Sequence, residues 1–138
     1  MAGTDVVFGY NIKRYAPPPH SAIVSGMAAF ISYHLGPDYT PHDITAYMRH
    51  RASDTPLTGE MFIVSRDNHG LDNKGLWLAM ALIQQDTMYG TLGKGADLHN
   101  PGNVGDDDEG HTRDYGTWQN GVDAVFEWLK RHKVSADA

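Results

Sequence analysis

Between Leu76 and Ile83 every residue is apolar: Leu76-Trp77-Leu78-Ala79-Met80-Ala81-Leu82-Ile83. A helix that is apolar around its whole circumference must be covered on most sides, so this segment predicts a central helix from Lys74 to Met88 with the rest of the chain wrapped over it. The 138 residues, 41% of them hydrophobic, are enough for one such core and too few for two comfortable ones. No uninterrupted apolar segment approaches the roughly 20 residues of a membrane helix, and no basic stretch followed by an apolar one opens the chain. The expectation is a soluble chain with no signal peptide and no membrane insertion.

The partners of the central helix can be read from capping and periodicity. Ser21 suits the N-cap of a helix from Ala22 to His34, where Ile23, Val24, Met27, Phe30, Ile31 and His34 recur at helical spacing before Gly36-Pro37 stops it. Thr40, Pro41 and Asp43 have the arrangement of a helix start, and Ile44, Tyr47, Met48 and Arg51 fall on one side of that helix. Thr58 caps a third helix through about His69, with Met61, Phe62 and Ser65 inward, and Asp72 or Asn73 opens the central one. Trp118, Val122, Val125, Phe126 and Leu129 form the stripe of a last helix whose end carries Lys130, Arg131, His132 and Lys133, favourable to its dipole. Trp77 and Trp128 read as core residues.

Two stretches lack this order. Residues 1–20, with Gly3, Gly9 and Pro17-Pro18-Pro19, read as an extended arm or linker, leaving 21–138 as the domain. Residues 90–116 hold seven glycines and no sustained periodicity, a length of irregular chain that is uncommon in a compact domain unless it binds something. The expected fold is therefore mainly α: four or five helices, a long Gly-rich loop with at most a short β-hairpin within residues 91 to 116, and a groove on one side.

Several chemistries are disfavoured. Seventeen acidic side chains against eleven basic, a net charge of -6, do not make a phosphate-neutralising surface, so a nucleic-acid partner is not expected. With no cysteine, thiolate catalysis, disulfides and Cys-ligated zinc are closed. The eight histidines form no His-Glu-x-x-His or similar pair, and Gly90-x-x-Gly93-Lys94-Gly95 lacks the phosphate-loop spacing, so neither a metal nor a cofactor is expected. Asp106, Asp107, Asp108 and Glu109 miss the calcium-loop pattern because Gly110 stands where a ligand is wanted; they read as a solvated acidic turn or as the source of a base.

The candidate chemistry lies where the apolar helix ends. Asp86, in Asp86-Thr87-Met88-Tyr89-Gly90-Thr91, follows Leu82 and Ile83 and faces the Gly-rich loop. Partial desolvation there would raise its pKa toward that of a general acid; the plainer alternative is an anchor that binds loop amides and pins the helix end. Asn100 and Asn103 offer acceptors and donors suited to sugar hydroxyls, or else satisfy the loop's own backbone as Asx turns. Tyr89 and Tyr115 flank the loop as candidate stacking platforms for a sugar ring, and Trp118, at the loop-to-helix junction, reads equally as platform or core.

From about Pro56 to His132 the chain resembles the lysozyme-like domains of peptidoglycan-cleaving enzymes, of the glucosaminidase and lytic-transglycosylase types found in bacteria and their phages. The resemblance is carried, in order, by Thr58-Gly59-Glu60-Met61, by Gln85-Asp86-Thr87-Met88-Tyr89-Gly90-Thr91, by Asn100-Pro101-Gly102-Asn103-Val104-Gly105, and by Tyr115-Gly116-Thr117-Trp118 leading into Gly121-Val122-Asp123-Ala124. It implies a small lysozyme-like helical domain acting on peptidoglycan glycan strands at the bacterial cell wall, either virion-associated or part of a larger polypeptide. It implies further that Asp86 is the catalytic acid, Thr87 the hydroxyl following it in the substrate cleft, and Gly90 the turn glycine. Glu60, Asp106, Asp107 or Asp108 would then be the second carboxylate of a hydrolase; a transglycosylase would use the substrate's own hydroxyl. The family carries Glu where Asp86 stands, and Asp is one methylene shorter, while near-attack geometry is sensitive to shifts of about 1 Å. The other reading is accordingly a non-catalytic glycan-binding or phage-particle assembly module, which would dock with other phage or cell-wall assembly proteins; a structural helical domain with no sugar affinity ranks last.

Overall fold

A computed structural model describes residues 6–12, 20–105 and 112–134. The chain is mainly helical, in the order β1 Val6–Val7, β2 Tyr10–Asn11, α1 His20–Leu35, α2 Pro41–Arg51, α3 Gly59–Asn68, α4 Asn73–Thr87, α5 Gly93–Asp97 and α6 Trp118–Arg131. The apolar run forms the middle of α4, and every residue from Gly75 to Ile83 is buried. Covering it takes α1 along one side, with α3 and α6 also packed against it and against each other. Inward-facing Val24, Ala28 and Ile31 of α1, Phe62 of α3, and Val122, Val125, Phe126 and Leu129 of α6 complete the core.

Local chemistry sets the helix ends. Thr40 and Asp43 form a reciprocal capping box at α2, each side chain accepting from the other's backbone N–H, with Pro41 in the first turn. The Asp72 carboxylate accepts from Gly75 N at 3.0 Å to start α4, and Thr117 Oγ1 accepts from Asn120 N at 3.1 Å to start α6. At its far end α4 stops on three successive left-handed residues, Met88, Tyr89 and Gly90. For the first two this conformation costs roughly 1–2 kcal/mol each, offset by local bonds: Thr55 Oγ1 donates to Tyr89 O at 2.6 Å, and Thr91 N and Leu92 N both donate to Thr87 O at 2.9 Å.

The described part of the expected arm is instead built into the domain. Residues 6–11 form a two-stranded antiparallel hairpin whose tight turn, Phe8-Gly9, has positive φ at both positions, the geometry that matches strand twist. Val7, Tyr10 and Ile12 enter the core, and the hairpin is tied to the end of α6 by Asn11 N donating to His132 O at 2.8 Å and Val134 N donating to Gly9 O at 2.6 Å. The described residues between 91 and 116, where at most a short hairpin was expected, hold the single-turn helix α5 and irregular chain. Rich in glycine and with little alternation, the described part of that stretch takes its shape from side chain to backbone bonds such as those of Asn100 and Tyr115.

Candidate functional site

The turn from His99 to Asn103 is clamped between two glycines. A Cβ on Gly95 of α5 would lie 2.3 Å from the Asn100 carbonyl oxygen, and one on Gly121 of α6 would lie 2.1 Å from the His99 carbonyl oxygen. Only a residue without a side chain permits approaches this close. Inside the clamp the fully buried Asn100 organises the loop: its Nδ2 donates to Val104 O at 3.1 Å and Arg113 O at 2.9 Å, and its Oδ1 accepts from Val104 N at 3.0 Å. Thr87 ties the same loop to α4, donating to Pro101 O at 2.7 Å while accepting from Gly90 N at 2.9 Å.

This clamp holds residues 102–105 opposite the outward face of α6 and leaves between them an open groove of about 740 Å³. Asp86, from the last turn of α4, lines it and is half-buried. Asn103, Tyr115, Asn120, Asp123, Glu127 and Trp128 contribute further to its walls. Tyr115 is fixed by donating to Val104 O at 3.0 Å and lies under the Arg113 guanidinium, 5.0 Å from its ring centre. Trp128 is stacked on His132, ring centres 3.9 Å apart and 16° from parallel. Asp123 is held in place from α3. The buried Ser65 hydroxyl donates to its Oδ1, and Gln119 Nε2 in turn donates to Ser65 Oγ at 3.0 Å and to Met61 O at 3.0 Å. Glu127 meets Arg131 at 3.8 Å, an exposed pair of little energetic weight. Among the described residues, no three His, Asp or Glu side chains are grouped so that they could hold a metal ion.

The sequence-predicted residues divide sharply on this geometry. Asp86, Asn103 and Tyr115 come together in the groove. Thr87, Tyr89 and Asn100 are buried, and their polar atoms serve the fold. Tyr89 presents no stacking face: it is fully enclosed, donates to Gln84 Oε1 at 2.9 Å, and burial pushes its hydroxyl pKa up. Trp118 packs against Gly90 and edge-on to His99, 5.0 Å between ring centres, away from the groove lining. Glu60 is exposed on the first turn of α3 and does not line the groove, while Asp106, Asp107 and Asp108 lie outside the described residues.

Sequence reasoning missed Asn120, Asp123, Glu127 and Trp128 as groove residues. Asp123, Glu127 and Arg131 do recur at i, i+4 and i+8 of α6, beside its apolar stripe, which marks a polar face. What that face looks onto depends on the loop, and no spacing reveals it. Trp128 was expected in the core, but its ring sits at the edge of the buried stripe and is half-exposed in the groove. Compared with protein-family models, with curated proteins and with solved structures, the chain matches none.

Proposed function

We propose that the groove binds a glycan strand of the bacterial cell wall and that Asp86 is the acid that cleaves the bond between its alternating amino sugars. The observation that carries this reading is the position of Asp86: a carboxyl at the end of a buried helix, lining an open groove together with two amides, two aromatic rings and two further carboxyls. A glycosidic oxygen leaves poorly as an alkoxide, so cleavage needs a proton delivered to it by a positioned acid. Apolar ring faces of a sugar suit stacking on Trp128 or Tyr115, and its hydroxyl and N-acetyl groups suit Asn103 and Asn120, each able to donate and accept.

In a hydrolase of this kind a carboxylate across the groove activates water or attacks the sugar; in a lytic transglycosylase the substrate's own hydroxyl takes that part. The protein would act at the cell wall, alone, within a virion, or as a module of a larger polypeptide. The test is loss of turbidity of purified cell walls, with co-sedimentation on the same walls as the binding readout. The reading expects clearing by wild type, none by Asp86→Ala, and binding by both. Equal clearing by the two removes Asp86 as the acid. Binding without clearing by wild type favours a non-catalytic glycan-binding or particle-assembly module, a role suited to the shorter reach of Asp compared with Glu. Absence of binding removes the glycan reading altogether.

A further inference from the structure

Far from the groove, α1 carries a second apolar face. From His20 to Leu35 the helix contains no Asp, Glu, Lys or Arg. Its inward stripe packs on α4, yet Ala22, Ile23, Gly26, Ala29, Phe30 and Tyr33 are all exposed, and at 100° per residue they fall within one sector about 120° wide. Ile23 is 47% exposed, Phe30 51% and Tyr33 89%. Phe30 is already held in place, stacked on His34 with ring centres 5.9 Å apart and lying 5.7 Å from the Arg51 guanidinium, so little side-chain freedom would be lost on covering it.

We propose that this face pairs with the same face of a second copy of the chain, antiparallel, about a two-fold axis crossing the exposed side of α1 at the level of residue 28. That axis sets Ile23 against Tyr33 and Gly26 against Phe30, each contact made twice, as an isologous interface requires. Gly26 is exposed, and a Cβ there would meet nothing within 4 Å, so its missing side chain leaves room for the partner's Phe30 ring to approach the helix. Charge favours a copy over a lipid surface. Membrane-bound amphipathic helices carry Lys and Arg beside their apolar face, whereas α1 has none and the chain as a whole carries -6. Between two copies the facing α1 helices bring no charge of their own into contact; the Arg51 guanidinium beside Phe30 comes from α2. Complete coverage of the exposed parts of Ile23, Phe30 and Tyr33, with Ala22, Gly26 and Ala29, would bury at most roughly 1,000 Å² over both copies, the low end for a specific interface. The pairing is therefore weak and concentration-dependent.

Sedimentation equilibrium of the full chain up to about 1 mM, a concentration at which weak dimers populate, reads this directly. The weight-average mass of wild type is expected to climb from one chain toward two. Gly26→Lys is expected to weaken association at least tenfold; Lys is the better helix former and the site is open, so its unfolding midpoint should equal or exceed that of wild type. Ala46→Lys adds the same charge on the exposed side of α2 and is expected to associate like wild type. The proposal is overturned by any of three results: one-chain mass throughout, association of Gly26→Lys equal to wild type, or flotation of wild type with zwitterionic vesicles without self-association.

Discussion

Asn100 separates an organiser of the groove from a ligand of the glycan, and its replacement has a magnitude that follows from the bonds it makes. Asn100→Ala removes at least three hydrogen bonds, those to Val104 O, Arg113 O and Val104 N, at a site with no solvent exposure. They are not equal losses. Val104 O keeps the Tyr115 hydroxyl as a donor, and Arg113 is exposed enough for water to reach its carbonyl. The Val104 N–H, on a buried residue, is orphaned. One orphaned buried group costs about 1–3 kcal/mol, and the other lost bonds and the vacated volume bring the expected destabilisation to roughly 2–4 kcal/mol.

Asn100→Asp sharpens the test. Its carboxylate keeps the acceptor for Val104 N but faces two carbonyl oxygens that had accepted from Nδ2, so the charged form is disfavoured and the folded pKa rises above the unfolded value of about 3.9. A raised folded pKa gives stability that is complete below the unfolded pKa and lost as pH rises through the folded one. Relative to Asn100→Ala, the Asp variant should therefore be more stable near pH 3 to 4 than at pH 7, where it should be the weaker of the two. Urea unfolding at both pH values, followed by tryptophan fluorescence, measures this. If Asn100→Ala unfolds within about 0.5 kcal/mol of wild type, in the range of an ordinary surface change, the buried-organiser account is refuted.

Further outcomes follow from the same contacts. Thr87→Val keeps shape but leaves the buried Gly90 N–H and Pro101 carbonyl without this partner, and is expected to cost about 2–4 kcal/mol in urea unfolding; a loss of wall binding with stability intact would instead make Thr87 a ligand. Gly121→Ala drives a methyl into the His99 backbone and should lower stability by about 3 kcal/mol while weakening wall binding, because the 99–103 turn that forms the groove wall has to move; unchanged thermal unfolding would contradict the clamp. Burial raises the hydroxyl pKa of both Tyr10 and Tyr89, Tyr10 being raised further by the neighbouring Asp72. Their contribution is complete below the unfolded tyrosine pKa of about 10 and is lost as pH rises above it, by roughly 1.4 kcal/mol per pH unit for each group. Urea midpoints that stay level from about pH 10 to 11 would count against that linkage.

How much of this was legible beforehand depends on the range of the interaction. Most helices were, because their signals are local: Thr40 with Asp43, Asp72 before α4, and the Trp118-to-Leu129 stripe all act within a few residues, whereas Ser21, read as an N-cap, lies inside α1, which begins at His20, and the Thr58 side chain makes no capping bond to α3. The hairpin at Val6–Asn11 was not, because two-residue strands show no alternation and Phe8-Gly9 is not a typical turn pair; it is held by distant residues, His132 and Val134. At the site, Asp86 could be singled out as a polar residue ending an apolar run. The division of labour around it could not, since Asn100 and Asn103 look alike in sequence and differ only in which way the loop turns them. Asp123 takes its position from Ser65, 58 residues away, and no local pattern encodes that bond.

The central claim is that the Asp86 carboxyl delivers a proton to a glycosidic oxygen of the cell wall, and mass spectrometry of the soluble products after incubation with peptidoglycan tests it most directly. Asp86→Asn retains size and shape while removing the acid. The account predicts glycan fragments with reducing ends, for a hydrolase, or with anhydro ends, for a transglycosylase, from wild type and none from Asp86→Asn. Intact strands from wild type, or the same fragments at the same rate from Asp86→Asn, would contradict it.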